Sequence, residues 1–273
     1  MRASLRRPAL AASLSLLSLV AHTASLPEAA AAHPARRPVL AAFAHPDDER
    51  VVGPLLARLA REGREVHLVI ATDGSKGIRD FAGIPAGPKL AEARAKEAQC
   101  AATRLGVRRL HMIGMEDGSL GTSMAILAQL RTRLAAIVAS VRPEAIITFG
   151  PEGGTGHPDH RLVGNVTTEI VQADESHRSV RLFYASLPAE RLSSAPPSTP
   201  SVSGVAGDLL TVRVPMEAQD IAAGRESFTC HATQYTPAEM AAINRTLTHV
   251  WNGMAYLRPW NGPSRDPSAP FRP

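Results

Sequence analysis

The strongest constraint on this chain is an alternation: short apolar runs, each followed by a stretch with helical spacing. Pro38-Val39-Leu40-Ala41-Ala42-Phe43-Ala44 is the first run and Val66-His67-Leu68-Val69-Ile70-Ala71 the second. Leu110 to Met115 and Ala145 to Phe149 follow. Continuous apolar runs of this length, bounded by turn residues, mark strands buried on both faces. Between them lie predicted helices. One passes through Val51, Val52, Leu55, Leu56 and Leu59 and stops at Gly63; another covers Lys89 to Leu105, closed by Gly106. A third spans Ser123 to Val141 and is ended by Pro143. Asp47, Asp48 and Glu49 read as the acidic first turn of the first helix. Strands and helices alternating in this way predict an α/β fold, a mostly parallel sheet with helices on both faces.

The remainder is less regular. A Gly-rich loop, Gly150 to Gly156, leads into a helix opening at His157. Arg181 to Ser186 and Thr211 to Met216 are candidate strands, and Leu192 to Gly207, rich in Ser, Pro and Gly, reads as a mobile loop. Helices are expected over Glu217 to Tyr235 and from Thr236 to about Trp251. The proline-rich end reads as an extended or disordered tail, so the predicted domain is 37–255 and the tail 256–273. Residues 1–32 stand apart: Arg2, Arg6 and Arg7 precede the apolar stretch Ala9 to Ala21, and small residues follow. This is the pattern of an export signal, cleaved near Ala24 or within Ala29 to Ala32. The apolar stretch is too short to span a bilayer comfortably, and no Cys follows it, so an exported protein without a stable membrane anchor is expected.

At 273 residues there is room for one such domain. The net charge of +5 owes part of its value to the leader, and no Lys/Arg cluster with interleaved aromatics speaks for nucleic acid. Cys100 and Cys230 lie far apart in the sequence. Export would permit a disulfide, but two separately buried thiols are the simpler reading.

The chemistry concentrates in two segments, Ala44-His45-Pro46-Asp47-Asp48-Glu49 and Gly156-His157-Pro158-Asp159-His160. Each follows a buried strand, and in open parallel sheets ligands bind beyond the carboxyl ends of the strands. A catalytic zinc takes three nitrogen or oxygen ligands and leaves a place for water. His45, Asp48 and one histidine of the second segment would complete that set. Asp47 points away from Asp48, as neighbouring residues do, and a spare carboxylate beside activated water is what a general base requires. The second histidine of the pair is then free to stabilise an oxyanion or protonate an amine.

These two segments resemble the motifs of the PIG-L/LmbE-like family of zinc deacetylases. Further matches fall in order: Thr72-Asp73-Gly74-Ser75-Lys76-Gly77, Arg94 with Glu97, Gly114-Met115-Glu116-Asp117-Gly118, and His231 with Gln234. The resemblance implies a Rossmann-like domain carrying one zinc per chain on His45, Asp48 and His160, with Asp47 as general base. It makes His157 the electrostatic and acid partner and has Asp159 hold the His157 imidazole. Arg94 would contact the sugar, and Asp117 would be a substrate-side carboxylate. Thr155 departs from the family, where some relatives carry a tyrosine that reaches the reacting acetyl group.

The implied reaction is removal of acetyl from an N-acetylglucosamine unit on a small molecule or glycan. A glycopeptide antibiotic pseudoaglycone of the teicoplanin type is the expected carrier. Chitin-type oligosaccharide or cell-wall glycan is the alternative. A catalytically dead carbohydrate-binding relative would keep the fold without needing Asp47. A dinucleotide-dependent oxidoreductase would need G-x-G-x-x-G after the first strand, and Ala44 to Gly53 lacks it. Trp251 and Trp260 are expected to pack a C-terminal segment.

Overall fold

The computed structural model describes residues 37–177, 179–195 and 202–260. The expected leader and residues 261–273 lie outside these. Among the described residues the strands are β1 (Val39–Phe43), β2 (Val66–Thr72), β3 (Arg109–Met115), β4 (Ala145–Phe149), β5 (Arg181–Ala185), β6 (Val212–Pro215) and β7 (Met254–Pro259). The helices are α1 (Gly53–Arg61), α2 (Pro88–Arg104), α3 (Met124–Val141), the single turn α4 (Gly153–Gly156), α5 (Pro158–Ala173), α6 (Ala189–Ser193), α7 (Ala218–Phe228) and α8 (Pro237–Trp251).

The sheet runs β3-β2-β1-β4-β5-β7-β6. Its first five strands are parallel; β7 runs antiparallel to both β5 and β6. Every residue of β1, β2 and β4 is buried, as expected for strands covered by helices on both faces. From β1 the chain steps to β2 on one side, and it later returns to place β4 on the other. The crevice beyond β1 and β4 is therefore the point where strand order reverses, the usual ligand position in such sheets.

Three expectations need correction. Asp48–Val51 is a separate tight turn, and α1 begins only at Gly53, with a proline in its first turn. The acidic triplet is thus drawn into the crevice instead of capping a helix. The helix expected to reach Tyr235 stops at Phe228, and residues 229–236 form a turn before α8. Finally, β7 crosses the boundary expected at residue 255. Asn252 and Gly253, both in the left-handed region, end α8 and reverse the chain into it.

Within the expected loop 192–207, α6 ends at Ser193 and Val205 is buried, bridged to Pro188. Cys100 and Cys230 are joined in a disulfide, not buried as separate thiols. Trp251 is buried, and its indole donates to the Val51 carbonyl at 3.1 Å, a packing role.

Candidate active site

The exit of β1 is fixed by threonines on its two neighbouring strands, β2 and β4. Thr72 Oγ1 donates to Ala44 O and Thr148 Oγ1 to Ala42 O, each at 2.9 Å. Beyond these anchors His45, Asp48 and His160 converge. His45 Nδ1 stands 3.0 Å from His160 Nε2 and 3.5 Å from Asp48 Oδ2, while His160 Nε2 is 3.2 Å from Asp48 Oδ1. Donors on a tetrahedral zinc with bonds of about 2.0–2.1 Å stand about 3.3–3.4 Å apart. The three side chains, all buried, are set at that spacing.

His45 could in principle offer either nitrogen. With Asp117 and Asp159 it forms a second set, and with His157 and His160 a third, each with ligand-type atoms within 4.8 Å. The carboxylates of the second set are already engaged. Asp117 accepts from the Lys76 amide, and Asp159 from the amides of Gly118 and Leu120. His45 Nε2 lies 3.1 Å from Asp117 and 3.4 Å from Asp159, but neither meets it with hydrogen-bond alignment. A carboxylate behind a ligand imidazole orients its ring and raises its basicity. The Nδ1 side of His45 is thus the one that could hold a metal, with Asp117 and Asp159 behind the ring.

Electrostatics agree with this assignment. Burial alone would lower the basicity of His45, yet Asp117, Asp159 and Asp48 outweigh it and hold the group well above the ordinary imidazole range. Burial works against the Asp48 carboxylate, and His160 and His45 overcome it, holding that carboxyl well below its usual range. His160 is braced separately: its Nδ1 lies 2.8 Å from Gly153 O, and its ring stacks on Phe149 at 4.3 Å.

Asp47 sits beside this cluster with φ 107°, a left-handed setting that a non-glycine residue holds at a cost of about 1–3 kcal/mol. Its carboxylate accepts from Tyr235 OH at 3.0 Å and from Arg50 Nη1 at 3.2 Å, and Arg94 Nη2 is 3.5 Å away. Burial raises the Tyr235 hydroxyl pKa strongly, so it stays protonated and donates. The Asp47 amide donates to Glu49 Oε2 at 3.0 Å, and Glu49 Oε1 pairs with His231 Nε2 at 2.7 Å.

Several expected roles change on this geometry. Arg94 is buried, and its guanidinium donates to Gly74 O and Pro46 O, so it props up the Asp47 turn instead of reaching a sugar. Asp117 lies against His45, its Oδ1 3.1 Å from His45 Nε2. Asp159 does not hold the His157 ring by its carboxylate; its backbone amide donates to His157 Nδ1 at 3.1 Å. Neutral His157 therefore carries its proton on Nε2. Burial, then the charges of His45 and His160, lower its basicity, so it is suited to donating a hydrogen bond more than to acting as an acid. Thr155 Oγ1 lies 3.3 Å from His160 Nδ1, bracing a ligand. Arg50, Glu49 and Tyr235 were given no role by the motifs, and His231 appeared only as a weak match. Glu49 meets His231 across 182 positions and Tyr235 meets Asp47 across 188, too far for spacing to reveal.

The family model described as PIG-L: GlcNAc-PI de-N-acetylase matches residues 40–171, from β1 through α5. A 1D-myo-inositol 2-acetamido-2-deoxy-alpha-D-glucopyranoside deacetylase of Rhodococcus jostii is 29% identical over 247 residues, covering 74% of this chain and 83% of its own. Among solved structures, the N,N'-diacetylchitobiose deacetylase of Pyrococcus horikoshii superposes with a TM-score of 0.63 at 20% identity, covering 83% of this chain and 84% of its own. The A40926 pseudoaglycone deacetylase Dbv21 gives 0.63 at 18% identity, covering 82% and 97%. These two likenesses are in fold.

Proposed function

We propose that the chain is an N-deacetylase of the PIG-L type that hydrolyses the acetamide of an N-acetylglucosamine unit using one zinc ion on His45, Asp48 and His160. The observation that carries this reading is the meeting of these three donors at ligand spacing beside a strained, fully anchored Asp47. Bound there, zinc supplies Lewis-acid polarisation of a carbonyl and brings water toward ionisation near neutral pH. Asp47 takes the proton of the attacking water, with Tyr235 and Arg50 fixing the direction of its oxygens. His157 Nε2–H donates to the oxygen on which negative charge develops. The proton held by Asp47 then passes to the leaving nitrogen, the C–N bond breaks, and acetate and the free amine depart.

A relative that matches over most of both chains is named for a 2-acetamido-2-deoxyglucoside of inositol, which makes that conjugate the first carrier to test. The pseudoaglycone carrier expected from the motifs is supported only by likeness of fold. A second reading, an extracellular chitin-type glycan, is favoured by the Cys100–Cys230 disulfide, because disulfides persist in oxidising compartments. Incubation with each of the three, followed by mass spectrometry for loss of acetyl, separates them; loss from none overturns the assignment. For the chemistry, Asp47→Asn is expected to lower turnover about a hundredfold or more while zinc is retained. Near-normal turnover would place the base elsewhere.

A further inference from the structure

Asp47 is the least self-sufficient residue of the site. Its left-handed backbone persists only because its surroundings fix it. The amide is held by Glu49 Oε2 at 3.0 Å and the carbonyl by Arg50 at 2.8 Å, while Tyr235 holds the carboxylate. Glu49 is in turn held by His231, and both side chains are almost wholly buried. No described group other than Glu49 hydrogen-bonds the His231 ring, whose Nδ1 is buried without a partner. Its hydrogen bonding thus serves Glu49 alone.

His231 and Tyr235 both belong to the turn at 229–236. That turn is fastened to α2 twice, by the Cys230–Cys100 disulfide and by Thr233, whose amide and hydroxyl donate to Glu97 at 2.6 and 2.8 Å. The same helix carries Arg94, which supports the Pro46 carbonyl at 2.6 Å. One rigid assembly therefore grips the base from both sides.

We propose that the 229–236 turn is a clamp that sets Asp47 for catalysis, with His231 a positioning residue acting through Glu49 and the disulfide its fastening. This rests on the reading of Asp47 as base. It adds that the rate, and not metal or substrate binding, depends on residues that touch neither.

The test compares zinc-loaded His231→Leu, His231→Gln and Cys100→Ser/Cys230→Ser with wild type. Glutamine keeps an N–H that can donate to Glu49. His231→Leu is expected to lose about tenfold or more in kcat with KM and zinc content within about twofold, and His231→Gln to regain most of the loss. The double serine variant, and wild type treated with a phosphine reductant, should show the same kcat-only loss. Val138→Ala, in the core of α3, serves as a destabilised control and should keep its kcat.

Wild-type kcat in His231→Leu overturns the proposal. So does a loss that merely follows zinc content, or one that the control shares. Should His231→Leu fail to fold, the reduced wild type decides: full kcat after verified reduction overturns the clamp. Asp47→Asn keeps the two ideas apart. If it retains turnover, the base assignment fails. If it loses turnover while the His231 and cysteine variants do not, only the clamp fails.

Discussion

In the proposed zinc site His45, Asp48 and His160 each supply one of three donors, so alanine at any of them should lower zinc content sharply, measured by elemental analysis of the purified variant. Full occupancy in all three would remove the site from this crevice. Asp117→Asn is a subtler case that belongs with that set. It leaves the donors intact and weakens only the support behind His45, so its effect on metal affinity should be smaller. Residues of this kind differ in how visible they are before folding is known. His45, Asp47 and Asp48 are adjacent, and His157 and His160 are three apart, so short-range spacing exposes them. Glu49 and His231 are separated by 182 positions and Asp47 and Tyr235 by 188, and no periodicity links such pairs. Asp159 and Arg94 misled for another reason. Their residue types suit a substrate or relay role, and only burial and existing partners reveal them as supports.

Helix α5 delivers His160 because it lies tightly against the end of β4. A Cβ on Gly164 would run into the Phe149 carbonyl oxygen, which is backbone and cannot yield cheaply. Gly164→Ala should therefore lift the helix, cost about 1–3 kcal/mol in denaturant titration and weaken zinc binding together. Unchanged stability with unchanged zinc would show the contact to be slack. On the other side, α1 and α7 are joined by Arg61 and Asp220 at 2.8 and 3.0 Å. Burial disfavours the Asp220 carboxylate, but Arg61 and the Glu217 amide outweigh it and keep its pKa below the usual value. A depressed carboxyl contributes stability above its unfolded pKa and loses it as pH falls through the folded one. Asp220→Asn should thus lower Tm at pH 7, and the gap should close on acidification below the ordinary carboxylate range; a gap independent of pH would exclude the ion pair as its cause.

Strands β1, β2 and β4 were legible because each is a closed apolar run, whereas Met254–Pro259 was not. It mixes Tyr, Arg and Pro, begins directly after a helix cap, and takes its place only because β5 offers a free edge. The turn at 229–236 escaped notice for a related reason: Phe228 to Tyr235 contains neither Gly nor Pro to mark the end of a helix.

At the scale of the molecule, the disulfide closes a loop across 130 positions and ties α2 to the end of α7. Constraint of so long a loop in the unfolded chain contributes typically about 2–4 kcal/mol, so reduction should lower Tm by several degrees. An unchanged Tm after verified reduction would mean that the bond adds nothing to stability. We propose that this bond forms after export, so protein recovered from its native host should begin beyond Ala24 or within Ala29 to His33.

The placement of β7, the last described strand, between β5 and β6 also bears on the order in which the protein comes into being. Synthesis delivers β1 and Asp47 early, His160 midway, and His231, Tyr235 and β7 later. A growing chain can gather its metal donors long before it can brace its base or close its sheet. On the proposed reading, the base is fully braced only once His231, Tyr235 and β7 have all been made, late in the described chain.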